Sequence, residues 1–207
     1  MNFKEPIPTP ELKEIATEEL KNIFEKIVDS EFQIKGGAET ARPKVRKLYT
    51  NKALRALLLD SEAKSGEIQI MGVTFEVVTG RKKPDGEMAS IIHQESQGLV
   101  QRYLLSKYGI SEEDMDIEVP PLIEVQTGKF NTSVGERFPR KNTIYATALL
   151  RDMLEVKVGD ELEIDGETYT IKSGRRLSED QPYTNYTTKS LKKKLDKHVA
   201  KLFEERY

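Results

Sequence analysis

Cysteine is absent from this chain of 207 residues, which excludes disulfides, thiolate metal sites and cysteine nucleophiles together. Histidine is scarce: His93 and His198 stand at unrelated points, with no HxxxH spacing to hold a metal, so both are expected as surface or strand-end residues. A phosphate-binding loop is missing as well. The adjacent pair Gly36-Gly37, after Lys35, neither follows a clear strand nor leads into a GK[ST] ending. No GxSxG elbow is present, and the acidic run Glu112-Glu113-Asp114-Asp116 lacks the central glycine of a calcium loop. That run and Glu179-Asp180 read as solvated caps or loops. These absences lead to the expectation of a non-enzymatic protein with no catalytic residues, no metal and no cofactor.

Long apolar runs are also lacking. No stretch approaches the roughly 18 residues of a membrane span, and the opening MNFKEPIPTPELKEI has no apolar core of a cleaved signal, so a protein made in the cytoplasm and not inserted in a membrane is expected. Hydrophobic residues make up 37% of the chain and charged residues 33%, yet the charges nearly cancel at a net of −2. Such a balance gives no global pull toward polyanions, although local basic clusters still can. The small apolar content makes each half close to marginal as an independent core and predicts packing on the other half or on neighbouring subunits.

What is present is one supersecondary unit written twice. Glu67 to Lys82 (EIQIMGVTFEVVTGRK) and Glu161 to Arg176 (ELEIDGETYTIKSGRR) align without gaps at an offset of 94 and are identical at six of sixteen positions. Upstream, at an offset of 96, Pro43, Tyr49, Leu54, Arg55 and Leu58 fall on Pro139, Tyr145, Leu150, Arg151 and Leu154. A tandem duplication follows, with an N-terminal segment and helix over 1–30, a first repeat over 31–118 and a second over 119–207. The two are expected to superpose about an approximate internal two-fold.

Periodicity predicts a helix from about Pro10 to Asp29, started by Thr9 and Pro10 and carrying the stripe Leu12, Ile15, Leu20, Ile23, Phe24 and Ile27. After a break at Gly36-Gly37, Lys44 to Tyr49 reads as a strand and Asn51 as the cap of a helix through Leu59, with Ala53, Leu54, Leu57 and Leu58 on its apolar face. A β-hairpin follows, turning at Met71-Gly72, with Ile68, Ile70, Phe75 and Val77 inward; Leu162, Ile164, Tyr169 and Ile171 repeat these places around Asp165-Gly166. Pro84-Asp85-Gly86 predicts a turn into a third strand, Met88 to His93, beside the hairpin, and then a helix over Ser96 to Lys107. The segment Ile117 to Val125, with Pro120 and Pro121, reads as an edge or linker between the halves. The second half is expected as irregular from Phe130, a strand over Asn142 to Ala146, a helix over Thr147 to Leu154, the hairpin, a loop to Tyr186 and a final helix from Ser190 to Glu205. That helix places Leu191, Leu195, Val199, Leu202 and Phe203 on one face.

Two surfaces are candidates for function. The stripes of the terminal helices, Leu12, Ile15, Ile23 and Phe24 with Leu195, Val199 and Phe203, would need a partner or the repeats to cover them. Basic clusters recur at matching places: Arg42, Lys44, Arg46 and Lys47 against Arg137, Arg140 and Lys141, and Arg81-Lys82 against Arg175-Arg176. Paired clusters of this kind would suit a phosphate backbone, or else keep hairpin edges soluble.

The run Leu150-Arg151, Leu154, Val156, Gly159-Asp160, Leu162-Glu163-Ile164 and Ile171 is similar to the LR-x-x-L-x-[VI]-x-x-GD-x-LEI…I pattern of AbrB-type swapped-hairpin transcription factors. That resemblance implies DNA binding by a barrel built from two copies. Glu67 to Val77 and Gly159 to Ile171 also resemble the hairpin pattern of small β-barrel subunits in tailed-phage head-to-tail connectors and neck or tail rings. That second resemblance implies a non-enzymatic structural role in a homo-oligomer alongside other structural proteins of a virion. The combined expectation is an α+β tandem duplication of a small antiparallel barrel or hairpin unit with flanking helices. Its expected role is assembly first and DNA-binding regulation second, with nucleic acid as a possible partner.

Overall fold

The computed structural model describes residues 10–34, 39–178 and 181–207, with side chains from Ala16 onward. The Thr9 cap, the Gly36-Gly37 break, the Glu179-Asp180 run and the side chains of Leu12 and Ile15 lie outside that description. The described chain forms two compact units: one comprises the residues up to Ile70 with Thr74–Pro120 and Tyr207, the other Met71–Val73 with Pro121–Arg206.

In the first unit α1 (Pro10–Phe24) ends five residues earlier than its periodicity suggests, because Ile27–Val28 leaves the helix to become strand β1. A β-branched pair fits a pleated sheet better than a helix end. Its backbone groups are satisfied there, β1 running parallel to β8 (Met88–Ile91) with Ile27 opposite Ser90. A small hairpin of β2 (Phe32–Gln33) and β3 (Thr40–Ala41) follows, then β4 (Lys47–Thr50) and α2 (Lys52–Leu59). Asn51 caps α2 as its sequence implies, its Oδ1 accepting from the Leu54 N–H at 2.8 Å. On α2 Leu54 and Leu58 are buried and Leu57 half-buried, but Ala53 faces solvent, so the stripe is narrower than expected.

The hairpin β5 (Gly66–Ile70) and β6 (Val73–Thr79) turns through Met71 at φ 48° and Gly72 at φ 76°, the doubly left-handed geometry that matches strand twist. Strand β6 lies parallel to β4, Leu48 opposite Val77. The third strand does not return beside the hairpin. Preceded by β7 (Arg81–Lys82), which pairs with it, β8 joins the free side of β4 in antiparallel register, Tyr49 opposite Ile91. The order is β5-β6-β4-β8-β1. Helix α3 (Gln94–Lys107) and a 3₁₀ turn at Glu112–Met115 complete the unit, with Arg102 and Glu112 in an ion pair. Leu48, Leu54, Phe75, Val77, Ile91 and Leu99 are fully buried.

The second unit repeats this plan, with a single bridge of Arg175 to Thr184 where the first has β7: β9 (Val125–Gln126), the hairpin β10 (Phe130–Thr132) and β11 (Gly135–Arg137), β12 (Thr143–Ala146), α4 (Ala148–Met153), the hairpin β13 (Glu161–Ile164) and β14 (Glu167–Ser173), β15 (Asn185–Tyr186) and α5 (Lys189–Arg206). Phe130 onward is therefore a hairpin rather than irregular. Its order β13-β14-β12-β15-β9 matches the first unit position by position, and so do the strand directions: β12 parallel to β14, antiparallel to β15, and β15 parallel to β9. The duplicated unit thus starts at Ile27 and Val125 rather than near residues 31 and 119.

The fold is α+β and built twice, as the repeat implies, with five α-helices among the described residues. The sheets are mixed rather than antiparallel. Among the described residues neither closes into a barrel, since β5 and β1, like β13 and β9, stand at opposite edges of an open order. The cause is the parallel pairing of β4 with β6. It needs a crossover through α2 and β5, which leaves the hairpin at one edge instead of closing on the far strand.

The matched residues are those that build the crossover. Arg55 Nη1 donates to Thr50 O at 2.9 Å, and Arg151 Nη1 to Ala146 O at 2.6 Å. The Gly80 N–H reaches Thr50 O at 2.7 Å and the Gly174 N–H reaches Ala146 O at 2.8 Å. A Cβ would come within 2.6 Å of Ala89 O at Gly80, where the neighbouring strand leaves room only for glycine, and within 3.0 Å of Thr184 O at Gly174, a tight contact at the equivalent place.

Candidate interaction surfaces

The terminal-helix stripes are not free. Ile23, Phe24, Leu195 and Val199 are all buried within the chain, α1 packing on the 3₁₀ turn and α5 on β13, while Phe203 is half-buried. Ile23, Phe24, Leu195 and Val199 are therefore core, covered by the repeats rather than by a partner. The physical reason is the shortage of apolar material in each repeat: a sheet this small covers one face with its helices.

The basic residues divide. Lys44, Arg46, Lys82, Arg137, Arg140 and Lys141 are exposed. Arg42 pairs with Glu31 at 3.4 Å and Lys47 with Glu76 at 2.6 Å. Arg81 and Arg175 instead lie over aromatic rings: Arg81 is 5.5 Å from the centre of Tyr49, and Arg175 is 5.3 Å from Tyr145 and 5.7 Å from Phe130. Each tyrosine also packs on a phenylalanine from the small hairpin, Phe32 with Tyr49 at 4.6 Å and Phe130 with Tyr145 at 4.9 Å. Both units therefore hold a Phe–Tyr–Arg stack, in which the cation sits over the electron-rich ring face. In the second, Tyr186 joins Phe130 edge-on at 5.3 Å, standing where the first has Ile91. Sequence comparison overlooks Phe32 and Phe130 because the stretches from hairpin to strand differ in length by two residues, outside the aligned blocks.

These stacks anchor a hairpin-and-loop face in each unit. In the first, Gln33 Nε2 donates to Pro84 O at 3.2 Å, tying β2 to the turn after β7. In the second, the Asn131 N–H donates to Arg176 O at 3.1 Å and its Nδ2 to Leu177 O at 2.5 Å, tying β10 to the segment after β14. The exposed apolar residues gather there. Of eight large hydrophobic side chains exposed among the described residues, Ile34 and Met88 lie on the first face and Val134, Phe138, Leu177 and Tyr183 on the second. Met88 and Tyr183 are equivalent, each three residues before the strand partner of the stacked tyrosine. Lys129 covers Phe138 at 5.5 Å and Arg176 covers Tyr183 at 5.5 Å.

The two faces differ in charge. The first carries exposed Glu31, Glu39, Asp85 and Glu87 alongside its cations. Hydrogen bonds from the Thr40 hydroxyl and then Arg42 hold the Glu31 carboxyl below its usual pKa. The Glu87 backbone N–H and then Lys83 do the same for Asp85, while Glu87 and Asp85 raise Lys83. The second face has Glu136 as its described carboxylate, paired with Lys129 at 3.4 Å, against Arg137, Arg140, Lys141, Arg175 and Arg176. Among the described residues, no group of three or more histidine and acidic side chains is placed to hold a metal ion, and no helix is long and apolar enough to cross a membrane. Comparison with family models, with curated proteins and with solved structures finds no match to this chain.

Proposed function

We propose that this protein is a non-enzymatic assembly subunit that works in a homo-oligomeric ring with other structural proteins, of the kind built into the neck or tail of a tailed-phage virion after synthesis in the cytoplasm. One observation carries this reading: among the described residues, six of the eight exposed large hydrophobic side chains fall on the two hairpin-and-loop faces instead of being scattered singly. Clustered exposed apolar groups on hairpins and loops that the stacked aromatics anchor support a protein contact. Sedimentation velocity of the purified full chain over a hundredfold range of concentration tests it. A defined oligomer is expected; a monomer throughout would overturn it.

A second reading, a DNA-binding regulator with two barrel-like halves, draws support from the exposed cations Arg42, Arg46, Arg137 and Arg140, which stand in the stretch before the short strand β4 or β12 of each unit. Duplex binding that weakens steeply with salt, and that loses slope when these four are neutralised, is its expected signature. Absence of binding at physiological salt would remove it.

A further inference from the structure

We infer that the two hairpin-and-loop faces are each other's partner: the Phe138–Tyr183 face of one copy docks on the Ile34–Met88 face of a second copy, head to tail. This rests on the assembly reading and names the contact that would build the ring. Each face sets exposed apolar or aromatic side chains beside charged ones.

Charge selects which face meets which. Two copies of the second face brought together would set Arg137, Arg140 and Lys141 against their own duplicates, with Glu136 already engaged by Lys129. Like charges opposed in this way disfavour a symmetric contact. The first face is where carboxylates stand exposed, Glu31, Glu39, Asp85 and Glu87, of which Glu31 pairs with Arg42 and Asp85 and Glu87 share Lys83. Phe138 and Tyr183 would meet Met88 and the cations beside it, and both aromatic rings already accept a cation on one face. Because the two faces are different surfaces of one chain, the contact is heterologous and repeats from copy to copy, closing into a ring when the rotation between copies is cyclic and running on as a filament when it is not. A nucleic-acid strand would use the rings and cations but leave the aliphatic Val134 and Leu177 without a role.

Two charge-reversed full-length variants test the inference, Glu39→Lys with Glu87→Lys on the first face and Arg137→Glu with Arg140→Glu on the second. Native mass spectrometry and sedimentation velocity read the oligomer, and thermal melting confirms that each variant keeps the wild-type fold. Each variant alone should self-associate at least about tenfold more weakly than wild type, since opposed like charges cost more than a factor of ten in affinity. An equimolar mixture should restore association, because alternating copies set wild-type face on wild-type face at one contact and reversed face on reversed face at the next, so that every contact is complementary. Phe138→Ser with Tyr183→Ser should weaken association with no rescue by mixing. Wild-type oligomers that persist in all three variants would overturn this contact and leave the assembly reading intact. A wild-type chain that stays monomeric would overturn both. A chain that associates only when a single-stranded oligonucleotide is added would replace the protein partner with nucleic acid.

Discussion

At the scale of the residue, the duplicated hairpin turns on a few side chains with no room to change. Phe75 is wholly buried and Tyr169 is 3% exposed, at equivalent places on β6 and β14. Replacing Phe75 by Ala should cost about 3 to 5 kcal/mol, as for other large-to-small core changes, read by chemical denaturation. Tyr169 differs in having its hydroxyl at the rim, where it donates to Glu167 at 2.5 Å beside the Lys194–Glu167 ion pair at 2.8 Å. Tyr169→Phe should therefore be mild, within about 1 kcal/mol, because the hydroxyl is not deeply buried. Gly80→Ala should be far harsher than a typical loop substitution. The added methyl meets the Ala89 carbonyl, and an overpacking cost of about 1 to 3 kcal/mol is expected in the same assay.

At the scale of the element, the helices of the crossover start on residues that do two jobs. The Asn51 and Thr147 side chains cap α2 and α4, while their backbone N–H groups donate to Ser90 Oγ at 2.9 Å and Asn185 Oδ1 at 2.8 Å on the adjoining strands. Asn51→Ala should cost about 1 kcal/mol through the cap alone, since the backbone bond survives. Helix α3 begins differently: His93 Nδ1 accepts from the Glu95 N–H at 3.2 Å. Burial lowers the His93 pKa below its ordinary value, with the nearby Asp29 carboxylate opposing that shift. The folded state thus binds the proton less readily than the unfolded chain. The contribution of this site to stability is complete above the unfolded-state pKa and falls as pH drops from there through the lower folded-state pKa. Melting temperature should decline between neutral pH and about pH 5, and His93→Asn, which retains a cap acceptor that does not titrate there, should show a smaller decline.

At the scale of the whole molecule, each unit carries the same open sheet and the same Phe–Tyr–Arg stack, but the surfaces over the stacks have diverged. Tyr183 has replaced Met88, and the segment around Phe138 and Leu177 presents apolar groups where the first unit has Arg42 and Lys83. Association, if it uses these faces, joins different surfaces and should depend on salt as well as on apolar contact. Raising ionic strength from about 50 to 500 mM should weaken self-association of the wild type while leaving its melting temperature little changed, because rim charges are screened and the buried core is not. An oligomer indifferent to salt would point to a contact made elsewhere.

Several features follow from the chain alone. The offset alignment implies two copies of one unit; alternation along Glu67 to Thr79 and Glu161 to Ser173 places Phe75, Val77, Tyr169 and Ile171 inward; and Asn51 marks a helix start. The first needs only comparison of the sequence with itself, and the other two are local, resting on side-chain period or on hydrogen bonds within three residues. The tertiary structure decided what depends on contacts distant in sequence. It drew Ile27–Val28 out of a helical pattern into a strand because β8 offered an unpaired edge, and set β4 between β6 and β8 instead of letting the hairpin close on itself. It also buried Ile23, Phe24, Leu195 and Val199, which amphipathic periodicity marks as apolar without saying what covers them. The functional faces were hidden for the same reason. Phe32 and Tyr49 lie 17 residues apart and Phe130 and Tyr145 lie 15 apart, so the stacks and the exposed groups above them exist only once the hairpins fold back across the sheet.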